Sequence, residues 1–281
     1  MNNHIEASGV ARRLIIRIAS GSLAFSTTDE DNKIVYEQYP LKSSISMAAN
    51  FREALRTIPM LAKAYQRVLV MVDSDVLIVP TDCFKASEQE RLYLHAYGRQ
   101  KGVTRADQEM GEQRMVMHSV MPDLNSVAIY SLAKDLYTVI DDAFSAVSFS
   151  AAIAPVWLHL HQRSYTGPRL KLYSYCHEGK MEVMSYAQHR FRFYNSFKVD
   201  QADDALFYLL SVWQQLGLDP QRDEMHLVGD FPDGEAMTEK AKQFVKRIFT
   251  IHPSGEFNRA AVTQIAGIPY DMVILYMKGR G

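Results

Sequence analysis

A glycine set between hydroxyl side chains, in a turn joining two β-rich runs, lets backbone N–H groups cradle a phosphate. Ser20-Gly21-Ser22 has this form. The same tripeptide also suits a plain hairpin in which Gly21 supplies left-handed backbone. Gly229-Asp230, followed by Pro232-Asp233-Gly234, comes just after a strand-like run, where α/β loops line ligand clefts. It suits equally a polar loop that caps the next helix. Asp73 and Asp75 close a buried run, either as an acid and a base or as residues that end a strand by binding local N–H groups. Cys176-His177 with His189 brings three metal-ligating side chains near one another, but without a recognised zinc spacing, so a structural role is expected. His159 and His161 are two apart and do not share a helix face. His189–Lys198 (HRFRFYNSFK) mixes bases and aromatics, as single-stranded nucleic-acid platforms do. Alternation accounts for it as a half-buried strand, with Phe191, Phe193 and Phe197 on one face and Arg190, Arg192, Tyr194, Ser196 and Lys198 on the other. There is no Walker loop, Gly-x-Ser-x-Gly elbow, His-Glu-x-x-His or Cys-x-x-Cys.

These residues need elements to hold them, and the chain can build a core. Its 281 residues are 47% hydrophobic and 22% charged, which excludes a disordered chain and allows one large or two ordinary domains. Thirty-one basic residues against 32 acidic ones leave a net charge of −1, without the excess that nucleic-acid binding or a polybasic membrane surface calls for. Two cysteines, Cys83 and Cys176, cannot form a disulfide framework or a four-thiolate zinc site. The early apolar run Leu14–Ile18 is broken by Arg17, and no apolar run is long enough to span a membrane, so a cytoplasmic protein without membrane insertion is expected.

The first half reads as strands at Leu14–Ala19, Leu23–Thr28 and Lys33–Tyr39. A helix follows from about Ser46, with an apolar face of Phe51, Ala54, Leu55, Ile58, Leu61, Ala62 and Tyr65 kinked at Pro59. Val68–Val72 is a buried strand. Residues 73–125 look inserted, with a capping box at Ser87–Glu90, a helix to Gly98, a polar loop at 99–112, and strands at Met115–Val120 and Val127–Tyr130. A helix at Leu132–Phe144, a strand at Val147–Phe149, a helix at Ala151–His161 and a linker at Arg163–Pro168 complete this half. The second half has strands at Leu170–Tyr175, Met181–Tyr186 and Arg190–Val199, then a helix capped by Asp200 with a stripe of Leu206, Leu209, Leu210, Trp213 and Leu216. A strand at Met225–Val228, a helix around Met237–Val245 and a strand at Arg247–Ile251 follow. Residues 259–278 read as helical, divided by Pro269, with a strand at Met272–Tyr276 as the alternative.

Strands beginning at 14 and 169 and helices beginning near 46 and 201 share an offset of 155, so one α/β plan occurs twice. This doubled plan resembles the actin-like ATPases, in which two ribonuclease H-like domains with mixed sheets flanked by helices face a cleft. It is also similar to the pseudo-actin domains of bacterial secretion and pilus-assembly proteins, and to an uncharacterised bacterial family of the same fold. The resemblance implies an α/β fold with one domain over 1–163, carrying the insertion at 73–125, and a second over 168–281.

It further implies which residues correspond to the ATP site of the active enzymes. Their hairpin turns carry an Asp followed by Gly and Ser or Thr, the Asp organising Mg²⁺ and the turn N–H groups holding phosphate. Here Ser20, Gly21 and Ser22 keep part of the first turn, but Ala19 takes the place of the Asp. The second turn keeps Gly179 without Asp-x-Gly. The adenosine loop, where paired glycines are usual, reads Gly229-Asp230. These six residues are then vestigial cleft positions with no resident cofactor or metal. The expected function is a non-catalytic binding or scaffold protein whose partners are proteins that meet the cleft or the insertion. The alternative is a nucleotide-dependent switch, or weak ATPase, that holds ATP and Mg²⁺ in the cleft by backbone contacts.

Overall fold

The computed structural model describes residues 11–97, 114–188 and 190–278. The chain divides into two compact units, the first of residues up to Val120 with Val127–Ala152, the second of Met121–Ser126 with Ile153 onward. Among the described residues no helix is long and apolar enough to cross a membrane.

The first unit opens with β1 (Ala11–Ile18), β2 (Leu23–Thr28) and β3 (Ile34–Tyr39), an antiparallel meander. Helix α1 (Met47–Thr57) follows, its Ser46 hydroxyl accepting the Ala49 N–H as an N-cap. Buried Asn50 ties the approach to this helix together, donating to the carbonyls of Lys42, Ile45 and Ser46 and accepting from the Lys42 N–H. Pro59 does not kink α1; it ends it. The residue before a proline is pushed out of the helical region, and Ile58 is extended at φ −95° and ψ 110°. Pro59–Ala62 forms a short 3₁₀ turn, so Leu61 and Ala62 leave the helix and Tyr65 opens the next strand.

That strand, β4 (Tyr65–Val72), lies parallel to β1, and β8 (Val147–Ala151) lies parallel to β4, giving the order β3-β2-β1-β4-β8. Between them comes the insertion, with β5 (Leu77–Pro80), α2 (Gln89–Tyr97), β6 (Arg114–Met121) and β7 (Ser126–Ala133). Its sheet, β5-β7-β6, packs Tyr93 on Val127 and Ile129. The insertion runs past residue 125, because β7 is its central strand and takes in Leu132. Helix α3 (Lys134–Ala143) therefore starts later than its apolar pattern suggests. A 3₁₀ turn, Ala86–Glu88, fills the expected capping box, and Gly98 and the 99–112 loop lie outside the described residues.

The second unit contains α4 (Ala154–Ser164), with Pro155 in its first turn. Arg163 and Ser164, expected in a linker, are the last residues of this helix. Next come β9 (Lys171–His177), β10 (Lys180–Ala187), β11 (Arg190–Lys198), α5 (Ala202–Gln215), β12 (Glu224–Gly229), α6 (Gly234–Ala241), β13 (Ile248–Ile251) and α7 (Tyr270–Lys278). The sheet order is β11-β10-β9-β12-β13, with β9 antiparallel to β10, β10 to β11, and β9, β12 and β13 parallel. This is the plan of the first sheet. Gln201, not Asp200, precedes α5, and Asp200 pairs with Lys198. Residues 272–276 are helical, since α7 starts directly after Pro269.

The two faces of the second sheet differ. Leu172, Cys176, Met181, Val183, Met225 and Leu227 pack on Leu209, Val212 and Trp213 of α5 in an ordinary apolar core. The opposite face carries Lys171, Tyr173, Tyr175, His177, Glu182 and His226, all buried. The register of β10 with β11 slips between Ser185 and Tyr186, where Phe193 pairs with Ser185 but Phe191 with Tyr186. The extra residue, Arg192, is a bulge that turns Phe191 to the polar face. There it lies against Trp157 and Tyr194, while Phe193 and Phe197 stay in the apolar core. Phe191 therefore does not share a face with the other two.

Candidate functional site

Both units end their first parallel strand pair alike. The Asp73 N–H donates to the Ile18 carbonyl at 2.8 Å, and the Asp230 N–H donates to the Cys176 carbonyl at 2.8 Å. Ile18 and Cys176 are therefore equivalent points, and the turns that follow can be aligned residue by residue. The first reads Ala19-Ser20-Gly21-Ser22 and the second His177-Glu178-Gly179-Lys180. The Asp-x-Gly position is thus held by Ala19 in one unit and His177 in the other.

In the first turn Ser20 and Gly21 are exposed, Ser22 is buried, and the Ala19 N–H donates to the Ser22 carbonyl at 3.0 Å. Gly21 is not among the described glycines with positive φ, so it does not serve as the left-handed residue of a hairpin. Beneath the turn lies Arg17, wholly buried. Its guanidinium stands 3.9 Å from the Asp73 carboxylate and 3.5 Å from the Ser22 hydroxyl. Asp75 contributes its backbone, accepting from the Tyr93 hydroxyl at 3.0 Å.

In the second turn Glu178 and Gly179 have φ 47° and 74°, the pair of positive values that a two-residue type I′ hairpin requires. His177 and Lys180 face each other across it. The His177 ring stacks on Tyr175 at 4.4 Å, and its Nε2 is 4.0 Å from Glu182. Glu182 is fully buried and is paired with the Lys180 ammonium at 2.7 Å.

Gly229 closes the end of β12 at φ 93°. A Cβ there would lie 2.0 Å from the Cys176 carbonyl oxygen, so only glycine fits. Asp230 beside it is exposed, and Asp233, at the head of α6, makes no side-chain cap. Cys176 faces the apolar core while His177 faces the polar side, so the two do not converge on a metal. Burial, with the nearby charge of Asp230, pushes the Cys176 thiol up to about 12. His189 lies outside the described residues.

Ala19 has no side-chain oxygen, Asp73 is charge-paired to Arg17, and Glu182 is charge-paired to Lys180.

A second group went unseen in the sequence. Glu256 is half-buried on the polar side of the second unit, where it accepts from His159 Nε2 at 2.8 Å, Tyr270 Oη at 2.8 Å and Arg163 at 2.5 Å. Burial pushes this carboxyl up, but the hydrogen bond and charge of His159, with Tyr270 and Arg163, outweigh it and hold the group below its ordinary range. His161 meets the Gln188 carbonyl at 2.6 Å instead. His159 and His161 thus have separate partners, as their spacing requires, but the link from His159 to Glu256 spans 97 residues and left no local signal.

Two mixed sheets of order 3-2-1-4-5, one in each unit, define the actin-like ATPase fold, built from ribonuclease H-like domains. Residues 4–248 match the family described as protein of unknown function DUF3822, and the chain belongs to it. It is similar to a Bacteroides thetaiotaomicron protein of actin-like ATPase fold and unknown function, at 23% identity over 90% of this chain and 95% of that one, with a TM-score of 0.77. It is also similar to a chain of the PilM–PilN type IV pilus biogenesis complex, at 11% identity over 95% and 97%, with a TM-score of 0.52. No curated protein matches the sequence.

Proposed function

We propose that this chain is a non-catalytic binding or scaffold protein, an actin-like fold kept for recognising other proteins and not for turning over ATP. One observation carries the reading. At both hairpin turns the Asp-x-Gly position lacks a carboxylate, and the nearby acids, half-buried Asp73 and buried Glu182, are already paired with Arg17 and Lys180. Electrostatic stabilisation of the transferring phosphoryl group is usually the largest catalytic contribution, and losing one such contact costs about 10²–10³ in rate. Fold alone does not fix function, so the argument rests on these residues. The PilM–PilN structure, a protein complex, supports a protein partner as the object of recognition.

The rival reading is a nucleotide-dependent switch, favoured by the surviving Gly229, whose close approach to β9 preserves the backbone of a ligand loop. Phosphate release by the purified chain decides between them. The proposal expects none above background. Turnover that scales with protein and disappears in Asp230→Ala refutes it, as does micromolar ATP binding in calorimetry with a strong Mg²⁺ requirement.

A further inference from the structure

We infer that the chain supplies its own fixed cations at the two strand ends, Arg17 for Asp73 and Lys180 for Glu182, so that neither end takes up a divalent metal ion. The inference rests on the strand-end geometry and not on the binding role proposed above.

A buried guanidinium stays protonated and needs a countercharge. Arg17 is 0% exposed, and the Asp73 side chain beside it is 8% exposed. In the second unit the Glu182 side chain is 1% exposed and the ammonium of Lys180 stands 2.7 Å away. Arg17 comes from the strand before its turn, whereas Lys180 comes from the far side of its turn. Asp73 follows β4 and Glu182 lies on β10, so the two acids hold different positions, yet each is met by a cation from the β1–β2 or β9–β10 hairpin. A dissolved ion would have to displace a cation tethered to the chain, whose effective concentration does not fall on dilution. Each acid thereby faces a tethered cation within 4 Å.

Thermal melting of the full chain in chelator, in millimolar Mg²⁺ and in millimolar Mn²⁺ tests this. The wild-type protein is expected to melt at one temperature in all three. Lys180→Met leaves Glu182 with His177 Nε2 at 4.0 Å, an oxygen and nitrogen pair that Mn²⁺ accepts. This variant should melt lower in chelator and recover roughly 2–4 °C with Mn²⁺. Adding Glu182→Gln should abolish the recovery. Arg17→Met should respond to Mg²⁺ in the same way, with the response lost on adding Asp73→Asn. If Arg17→Met does not fold, the partly exposed Lys180 pair decides alone. Stabilisation of the wild-type protein by either ion overturns the inference, and so do folded single variants that ignore both.

Discussion

Gly229→Ala should damage the second unit out of proportion to the one methyl group it adds. The new Cβ would sit 2.0 Å from the Cys176 carbonyl oxygen, 3.0 Å from its carbon and 3.2 Å from its nitrogen. All three are backbone atoms of a central strand, so no side chain can swing aside. Holding an alanine at φ 93° costs about 1–3 kcal/mol. Relieving the contact must part β12 from β9 at the point where the Asp230 N–H donates to that same carbonyl, which removes about 1 kcal/mol more. The total is about 2–4 kcal/mol, or a fall in melting temperature of roughly 5–12 °C. Both tryptophans, Trp157 and Trp213, lie in this unit, so urea unfolding followed by their fluorescence reads the right part of the molecule. Gly217→Ala is the control. Its φ is 60° but nothing lies within 4 Å of the added Cβ, so it should cost about 1 kcal/mol. If the two variants unfold at the same urea concentration, the close contact does not constrain the fold and the reasoning fails.

Glu256→Gln should cost about 1–3 kcal/mol at neutral pH by weakening the charge-assisted bonds from His159 and Arg163. Because the carboxyl is held below its ordinary range, its stabilisation is present above that range and is lost as pH falls through the native value. The gap between wild type and variant in urea should therefore shrink in acid, and a gap that widens contradicts the assignment. A thiol reagent should titrate one cysteine in the native protein, the exposed Cys83, and two in denaturant. Burial keeps Cys176 inaccessible and largely protonated, so two rapid equivalents in the native protein would place it wrongly.

Local patterns revealed the repeated plan well, because strands flanked by turn residues and helices with an apolar stripe announce themselves within a few residues. Leu23–Thr28 and the stripe through Leu209 and Trp213 are examples. What misled was a pattern continued past its physical end. The apolar spacing through Leu61 and Tyr65 persists beyond Pro59, although the missing N–H and the constraint on Ile58 stop the helix. Strict alternation assigned Phe191 to the wrong face because a single-residue bulge leaves no mark on a two-residue period. At the candidate turns, Ala19 could be recognised as a substitution from the sequence, whereas His177 could be matched to it only once the Ile18 and Cys176 carbonyls were seen to be equivalent. Arg17 looked like an interruption of an apolar run. Its partner, Asp73, lies 56 residues away across a parallel pairing, a relation that no local window contains.

The backbone bonds at the two strand ends carry an evolutionary consequence. The Ile18 and Cys176 carbonyls are sealed by amides from the neighbouring strands, and the first turn closes through the Ala19 N–H and Ser22 carbonyl. None of these bonds uses a side chain. The exposed side chain at 20 can therefore change without altering the path of the chain, whereas Gly229 is held to a single residue by its surroundings. Shape and side-chain chemistry are set by different atoms here. A lineage can lose the reactive groups of such a turn in a few substitutions while keeping its outline, and a surface so preserved remains open to selection for a different task.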